Sequence, residues 1–147
     1  MRTSPGLSPL KGGGARRTIA AMTARLLLDE HILADGHVAR TYATFVDGHV
    51  HVQDEAGSGG PLSVAALDRV MVRYGLPLEA GVALDGEALD VGDGRRLRRL
   101  RFHAKVDATG RDYLVWERPD EEPLAVIATH ATAALRYLVL RLDAERR

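Results

Sequence analysis

The sequence lacks cysteine, a long apolar run and a net charge. Without cysteine the chain can have no disulfide framework, thiolate metal site, iron–sulfur cluster or cysteine nucleophile. No segment approaches the run of about 18 apolar residues that a membrane-spanning helix needs. These absences predict a cytoplasmic protein that does not enter a membrane.

The charge balance limits the kinds of partner. The 20 Lys and Arg residues are matched by 20 Asp and Glu residues, so nucleic-acid binding would have to come from a local basic patch. The sequence also lacks a phosphate-binding glycine loop, a G-x-S-x-G nucleophile motif, an H-E-x-x-H zinc motif and EF-hand spacing. We therefore predict no cofactor and favour a non-enzymatic protein.

The N-terminal segment differs from the rest of the chain. Residues 1–21 contain four glycines, two prolines and four basic residues but no acidic residue, a composition too poor in apolar surface to offset the entropy of ordering. We interpret this segment either as a disordered basic tail or as upstream sequence from an over-long gene prediction, with Met22 as the true start. Residues 22–147 are then a single α+β domain, a length typical of one hydrophobic core.

Asp-Gly pairs recur along the domain. Asp35-Gly36, Asp47-Gly48 and Asp85-Gly86 lie between apolar runs, and Asp-Gly suits the type I′ turn of a two-residue β-hairpin. The first two pairs predict a three-stranded meander over about 25–34, 37–46 and 49–54, followed by a glycine-rich loop at 57–61. The third predicts a short acidic hairpin within about 78–94.

Two helices are predicted to cover an antiparallel sheet. The first spans about 63–74, with Ser63 as its N-cap and Gly75 as a left-handed stop. The second spans about 131–145, capped by Thr129 or Thr132, and residues 124–128 are either a strand or the start of this helix. The fold class is therefore α+β, with a mainly antiparallel sheet of meanders and hairpins, and the order of elements suggests a duplicated βββα unit.

The first meander offers a polar face. With two-residue turns, His31 would pair with Arg40, and alternation would then place the apolar residues on one face and the polar residues on the other. His31 as base, Arg40 as anion clamp, Tyr42 as acid and Asp29 as orienter would suit general acid–base chemistry. Solvated polar side chains, with a cross-strand pair between Arg40 and Glu55, are the simpler interpretation.

Histidines on the same face raise the question of a metal site. His49 and His51 are near enough in sequence to approach one ion, but zinc normally takes three or four protein ligands. The sequence supplies no obvious further ligand, so we predict no metal.

A basic strand follows an acidic stretch. Residues 95–105 hold six Arg or Lys and no acid. Alternation, together with a three-residue turn that pairs Lys105 with Tyr113, predicts an outward row that could hold a phosphate backbone and stack a base. The nucleic-acid-binding candidates are Arg99, Arg101, His103, Lys105 and Tyr113. Pairing with the acids of 79–93, or protection of a sheet edge, explains the same charges.

The last helix has more apolar surface than one buried stripe requires. Ala133, Tyr137 and Leu140 form a flanking face beside its core positions. Our leading hypothesis is a small intracellular interaction protein that self-associates through this face as a homo-oligomer. Nucleic-acid binding through 95–105 and a small enzyme on the polar face of the meander are the alternatives.

Overall fold

The computed structural model describes residues 22–101 and 111–147. Within these residues the chain forms two antiparallel sheets and two helices, which confirms the α+β class. The elements are β1 (Arg25–Ile32), β2 (Val38–Val46), β3 (His49–Asp54), β4 (Gly59–Ser63), α1 (Val64–Tyr74), β5 (Leu76–Pro77), β6 (Ala88–Asp90), β7 (Arg96–Leu100), β8 (Tyr113–Glu117), β9 (Leu124–Ile127) and α2 (Ala128–Arg146).

The element order repeats. The first sheet is the meander β1-β2-β3-β4 followed by α1, and the second runs β5-β9-β8-β7-β6, a meander from β6 to β9 followed by α2, with β5 added at its edge. Each unit therefore has four meander strands before its helix. The fourth strand of the first unit was predicted to be a loop because of its glycines and Pro61, but Pro61 lies opposite His51 on an edge strand, where a missing N–H is tolerated.

The β2–β3 hairpin was predicted correctly. Thr44 pairs with His51 and Tyr42 with Gln53. Asp47 and Gly48 both have positive φ, at 52° and 77°, as a type I′ turn requires.

The predicted pairing of β1 with β2 is wrong by one residue. His31 lies opposite Ala39, and Arg40 lies opposite Glu30. The strands end at Ile32 and Val38, so the connection is longer than a two-residue turn. A bulge at Leu28 shifts the register again. A one-residue slip reverses which face a side chain occupies, so Ile32 leaves the apolar face that alternation predicts for it and is 74% exposed.

The two ends of α1 are determined in different ways, the first by a local cap and the second by close packing. Ser63 caps α1 by accepting a hydrogen bond from the Ala66 N–H at 3.0 Å, as predicted. Gly75 has φ −86° and is not left-handed. It is needed instead for close approach, since a Cβ there would stand 2.4 Å from the Met71 carbonyl oxygen.

The second helix begins earlier than predicted. Residues 124–127 form strand β9, and α2 starts directly after it at Ala128. The Ala128 N–H donates to the Asp112 carbonyl, which continues the pairing of β9 with β8. The chain passes from strand to helix without a side-chain cap, so Thr129 and Thr132 are helical residues rather than caps.

The main core lies between the two sheets and the helices. Its largest fully buried side chain is Trp116 of β8, whose indole N–H donates to the Asp68 carboxylate of α1 at 2.7 Å. A smaller cluster fills the other face of the second sheet, where Leu78, Val82 and Leu84 pack on Leu100 and its neighbours. The hairpin predicted around Asp85-Gly86 is absent from residues 78–87, because this segment covers the sheet instead of pairing with itself.

Candidate functional site

The helix α2 lies at the surface, with one side buried and the other exposed. One side of it is buried in the main core through Ala131, Leu135 and Val139. It packs against the first sheet at β1 and β4 and against α1. A helix of 19 residues held this way leaves its other side free for contacts outside the fold.

The exposed side of α2 carries the predicted self-association residues. Tyr137 is 64% exposed and Leu140 is 68% exposed, and Ala133 is also exposed. Ala144 is exposed on the same side, one turn further on. We call Ala133, Tyr137, Leu140 and Ala144 the seam.

Recesses lie on both sides of the seam. An open cleft of about 700 Å³ separates α2 from the ends of β1, β2 and β3, and its lining includes Ala133, Tyr137 and Leu140. On the other side, Tyr137 also lines a groove between α2 and α1, together with Val72 and Tyr74. The seam is therefore a ridge with a recess along each flank.

The cleft also contains part of the predicted catalytic set. Asp29, His31 and Arg40 line it, but the shifted register separates the four candidates. Asp29 pairs with Thr41 of β2, and His31 pairs with Ala39. The side chains of Asp29 and His31 lie on the face of β1 that turns toward α2. Arg40 and Tyr42 belong to the other face, where the Arg25 guanidinium stands 3.8 Å from the centre of the Tyr42 ring.

The polar groups of the cleft differ in whether they have a hydrogen-bond or ionic partner. Arg136 of α2 donates to the Thr41 hydroxyl at 3.1 Å. Arg40 is held by Glu30 at 3.1 Å and Glu55 at 3.5 Å, so the expected pair with Glu55 is present. The Thr132 hydroxyl is buried and has no hydrogen-bond partner among the described residues.

Asp29 is a titratable group of the cleft whose pKa burial changes. Burial raises the pKa of its carboxyl above the usual value, against a backbone hydrogen bond at Glu30 and the nearby charges of His31 and Arg99, which lower it. The Asp112 carboxylate adds to the increase. Ionised Asp29 is thus less favourable here than in water.

The two metal candidates lie away from this cleft. His49 and His51 are on β3, and His49 Nδ1 lies 3.0 Å from the Asp47 carbonyl oxygen. In the part of the chain that the structure describes, no three His, Asp or Glu side chains come together in a way that could hold a metal ion.

The basic strand is arranged differently from the prediction. Leu97 pairs with Trp116 and Leu100 with Tyr113, so the predicted pairing through a three-residue turn is wrong. Strand β7 is covered on both faces, because the segment 78–87 packs over the second one, and charged residues are enclosed with the apolar ones.

The enclosed arginines are paired with acids. Arg99 is 9% exposed and bound to Asp112, while Arg98 is 4% exposed and bound to Glu117 at 2.7 Å. Of the nucleic-acid-binding candidates, Tyr113 is also buried and Arg101 is exposed. His103 and Lys105 lie outside the described residues.

Sequence reasoning missed Arg136, Ala144 and the position of Thr132 in the cleft. Ala144 could have been found by extending the spacing of Ala133, Tyr137 and Leu140 by four residues. Thr132 was predicted only as a possible cap, and Arg136 has no local signal, because its partner Thr41 lies 95 positions away.

Comparison with protein-family models, curated proteins and solved structures finds no match to this chain. Neither helix in residues 22–101 and 111–147 is long and apolar enough to cross a membrane.

Proposed function

We propose that this chain is a small interaction protein that self-associates through the seam of α2. The observation that carries the proposal is the exposure of Tyr137 and Leu140, 64% and 68%, three positions apart on a helix whose opposite side is buried. Large apolar side chains that are adjacent and exposed are typical of docking surfaces, and tyrosine is enriched among residues that dominate binding.

The flanking recesses support the same proposal. A ridge with a cleft on one side and a groove on the other gives a partner's side chains places to enter. Val72 and Tyr74 extend the apolar surface onto α1, since each is about half exposed. A protein partner would therefore meet more than one helix.

The division of the predicted catalytic residues also favours an interaction protein over an enzyme. Tyr42 is on the opposite face of the sheet from Asp29 and His31. A substrate in the cleft would therefore meet only part of the set that motivated the enzyme hypothesis. Arg40 reaches the cleft already bound to two carboxylates.

The test compares two matched charge insertions by sedimentation velocity. Leu140→Glu places a charge on the seam, and Ile32→Glu places the same charge on a residue of similar exposure, 74%, in the first sheet. Both positions are exposed, so neither change should cost more than about 0.5 kcal/mol of folding stability. We expect Leu140→Glu to abolish assembly and Ile32→Glu to leave it intact. Equal assembly in both variants would refute the proposal.

A further inference from the structure

We infer that the partner on the seam is a second copy of this chain, packed antiparallel along α2. In this arrangement Tyr137 packs on the second copy's equivalent of Leu140, and Ala133 packs on the second copy's equivalent of Ala144. The inference rests on the proposed function and adds the direction of the second copy and the residues that it contacts.

The spacing of the seam is that of a helix pair. Its residues follow one another at intervals of four, three and four, the a and d positions of a heptad, which put side chains on one line facing a second helix. In the antiparallel arrangement the two large residues meet at the centre and the two alanines meet at each end. Large side chains enclosed by close-packed small ones match the anatomy of a binding hot spot.

The charges beside the seam select the direction. Arg136 and Asp143 occupy the g positions on one side of the seam, and Arg141 occupies an e position on the other. An antiparallel pair brings g positions together, so Arg136 of each copy would lie beside Asp143 of the other. A parallel pair brings g beside e and would set Arg136 against Arg141 twice. Charges at these positions determine helix orientation.

Arg136 and Asp143 can each form the ion pair between the two copies. Arg136 donates through Nη1 to Thr41, and an arginine carries five N–H donors in all, so its guanidinium can donate to a second acceptor. Asp143 is bound at 2.7 Å by Arg147, at the end of the same helix. This contact is solvent-exposed, and such pairs exchange partners at little cost.

Cysteine cross-linking tests the direction, because the chain contains no cysteine of its own. Ala133→Cys and Ala144→Cys are made in separate chains of different tag size, mixed, and treated with a short thiol-specific cross-linker. The antiparallel pair places these two cysteines together, whereas each stands about 16 Å along the helix from its own counterpart. We expect the mixed product and neither self-linked product.

The other possible results of the cross-linking experiment can be distinguished from one another. Self-linked products would show a parallel pair and overturn the inference while leaving the proposed function standing. An assembled protein that gives no product would place the second copy on another surface, which overturns the inference and contradicts the proposed function as well. A protein that does not assemble would contradict the proposed function itself.

A charge exchange provides an independent measurement of the same geometry. Arg136→Asp and Asp143→Arg should each raise the dissociation constant about tenfold, and the double variant should restore it. Arg141→Asp is the control, because the antiparallel pair sets this residue beside Ala134 of the second copy and predicts no change. Tighter association of Arg141→Asp, or no recovery in the double variant, would contradict the antiparallel pair.

Discussion

Trp116 links the second sheet to α1 through a side-chain hydrogen bond. Its side chain is fully buried, and its only polar atom donates to the Asp68 carboxylate. Removing an acceptor from a buried donor costs the desolvation of that donor, so the fold depends on Asp68 although Asp68 itself is only half-buried.

Asp68→Ala should therefore lower the free energy of unfolding by about 1–3 kcal/mol. Asp68→Asn keeps an oxygen acceptor of the same shape and should cost clearly less. Urea unfolding followed by the fluorescence of Trp116, the one tryptophan in the chain, measures both. An alanine variant as stable as the unaltered protein would mean that the indole N–H has another partner.

Asp29 makes stability depend on pH. Burial raises the pKa of its carboxyl in the folded state above the usual 3.8, so the folded state holds the proton more tightly than the unfolded state. The stabilisation from this proton is fully present below about pH 3.8 and is lost as the pH rises through the folded-state pKa.

Asp29→Asn removes this dependence. Relative to the unaltered protein, the variant should become progressively more stable as the pH rises from about 3 to 7, because an asparagine side chain never ionises. Urea unfolding of both proteins across this range gives the difference. A difference that stays constant with pH, or that falls as the pH rises, would show that folding does not raise the pKa of Asp29.

The strand and helix elements show what local sequence can and cannot predict. The turn at Asp47-Gly48 was predictable because two adjacent residues determine the type I′ conformation and hence the pairing of β2 with β3. The same dipeptide at Asp35-Gly36 led to the wrong pairing of β1 with β2, because the dipeptide does not determine the length of the loop. The bulge at Leu28 could not be predicted either, since no residue type in the local sequence indicates it.

The basic strand illustrates a second limit. Alternation predicts an outward row only if one face of the strand meets water. In β7 both faces are covered, and Arg98 and Arg99 find their acids 19 and 13 positions away. The exposed side of α2, in contrast, was predictable because helical spacing alone separates two apolar stripes.

Gly48→Ala tests the turn that fixes the first hairpin. Gly48 has φ +77°, and a Cβ there would meet nothing within 4 Å. The cost is therefore conformational, about 1–2 kcal/mol for an alanine in the left-handed region. Asp47→Asn is the control, since asparagine tolerates this region. Thermal or urea unfolding measures both, and equal stability of the two variants would argue against a left-handed turn.

The two sheets and α1 hold α2 at the surface with one of its sides exposed. The buried stripe of α2 fixes its position, and its seam is left facing outward between the cleft and the groove. The same arrangement brings Asp29, His31 and the whole of the predicted self-association face to one cleft, because the shifted register turns Asp29 and His31 toward α2.

Sedimentation equilibrium of the unaltered chain over a wide concentration range measures whether the seam of α2 is an interface between two copies. We expect a mass that rises with concentration to that of two chains and does not exceed it, because a two-fold pair of helices closes on itself. A mass of one chain at every concentration would mean that the seam does not mediate self-association.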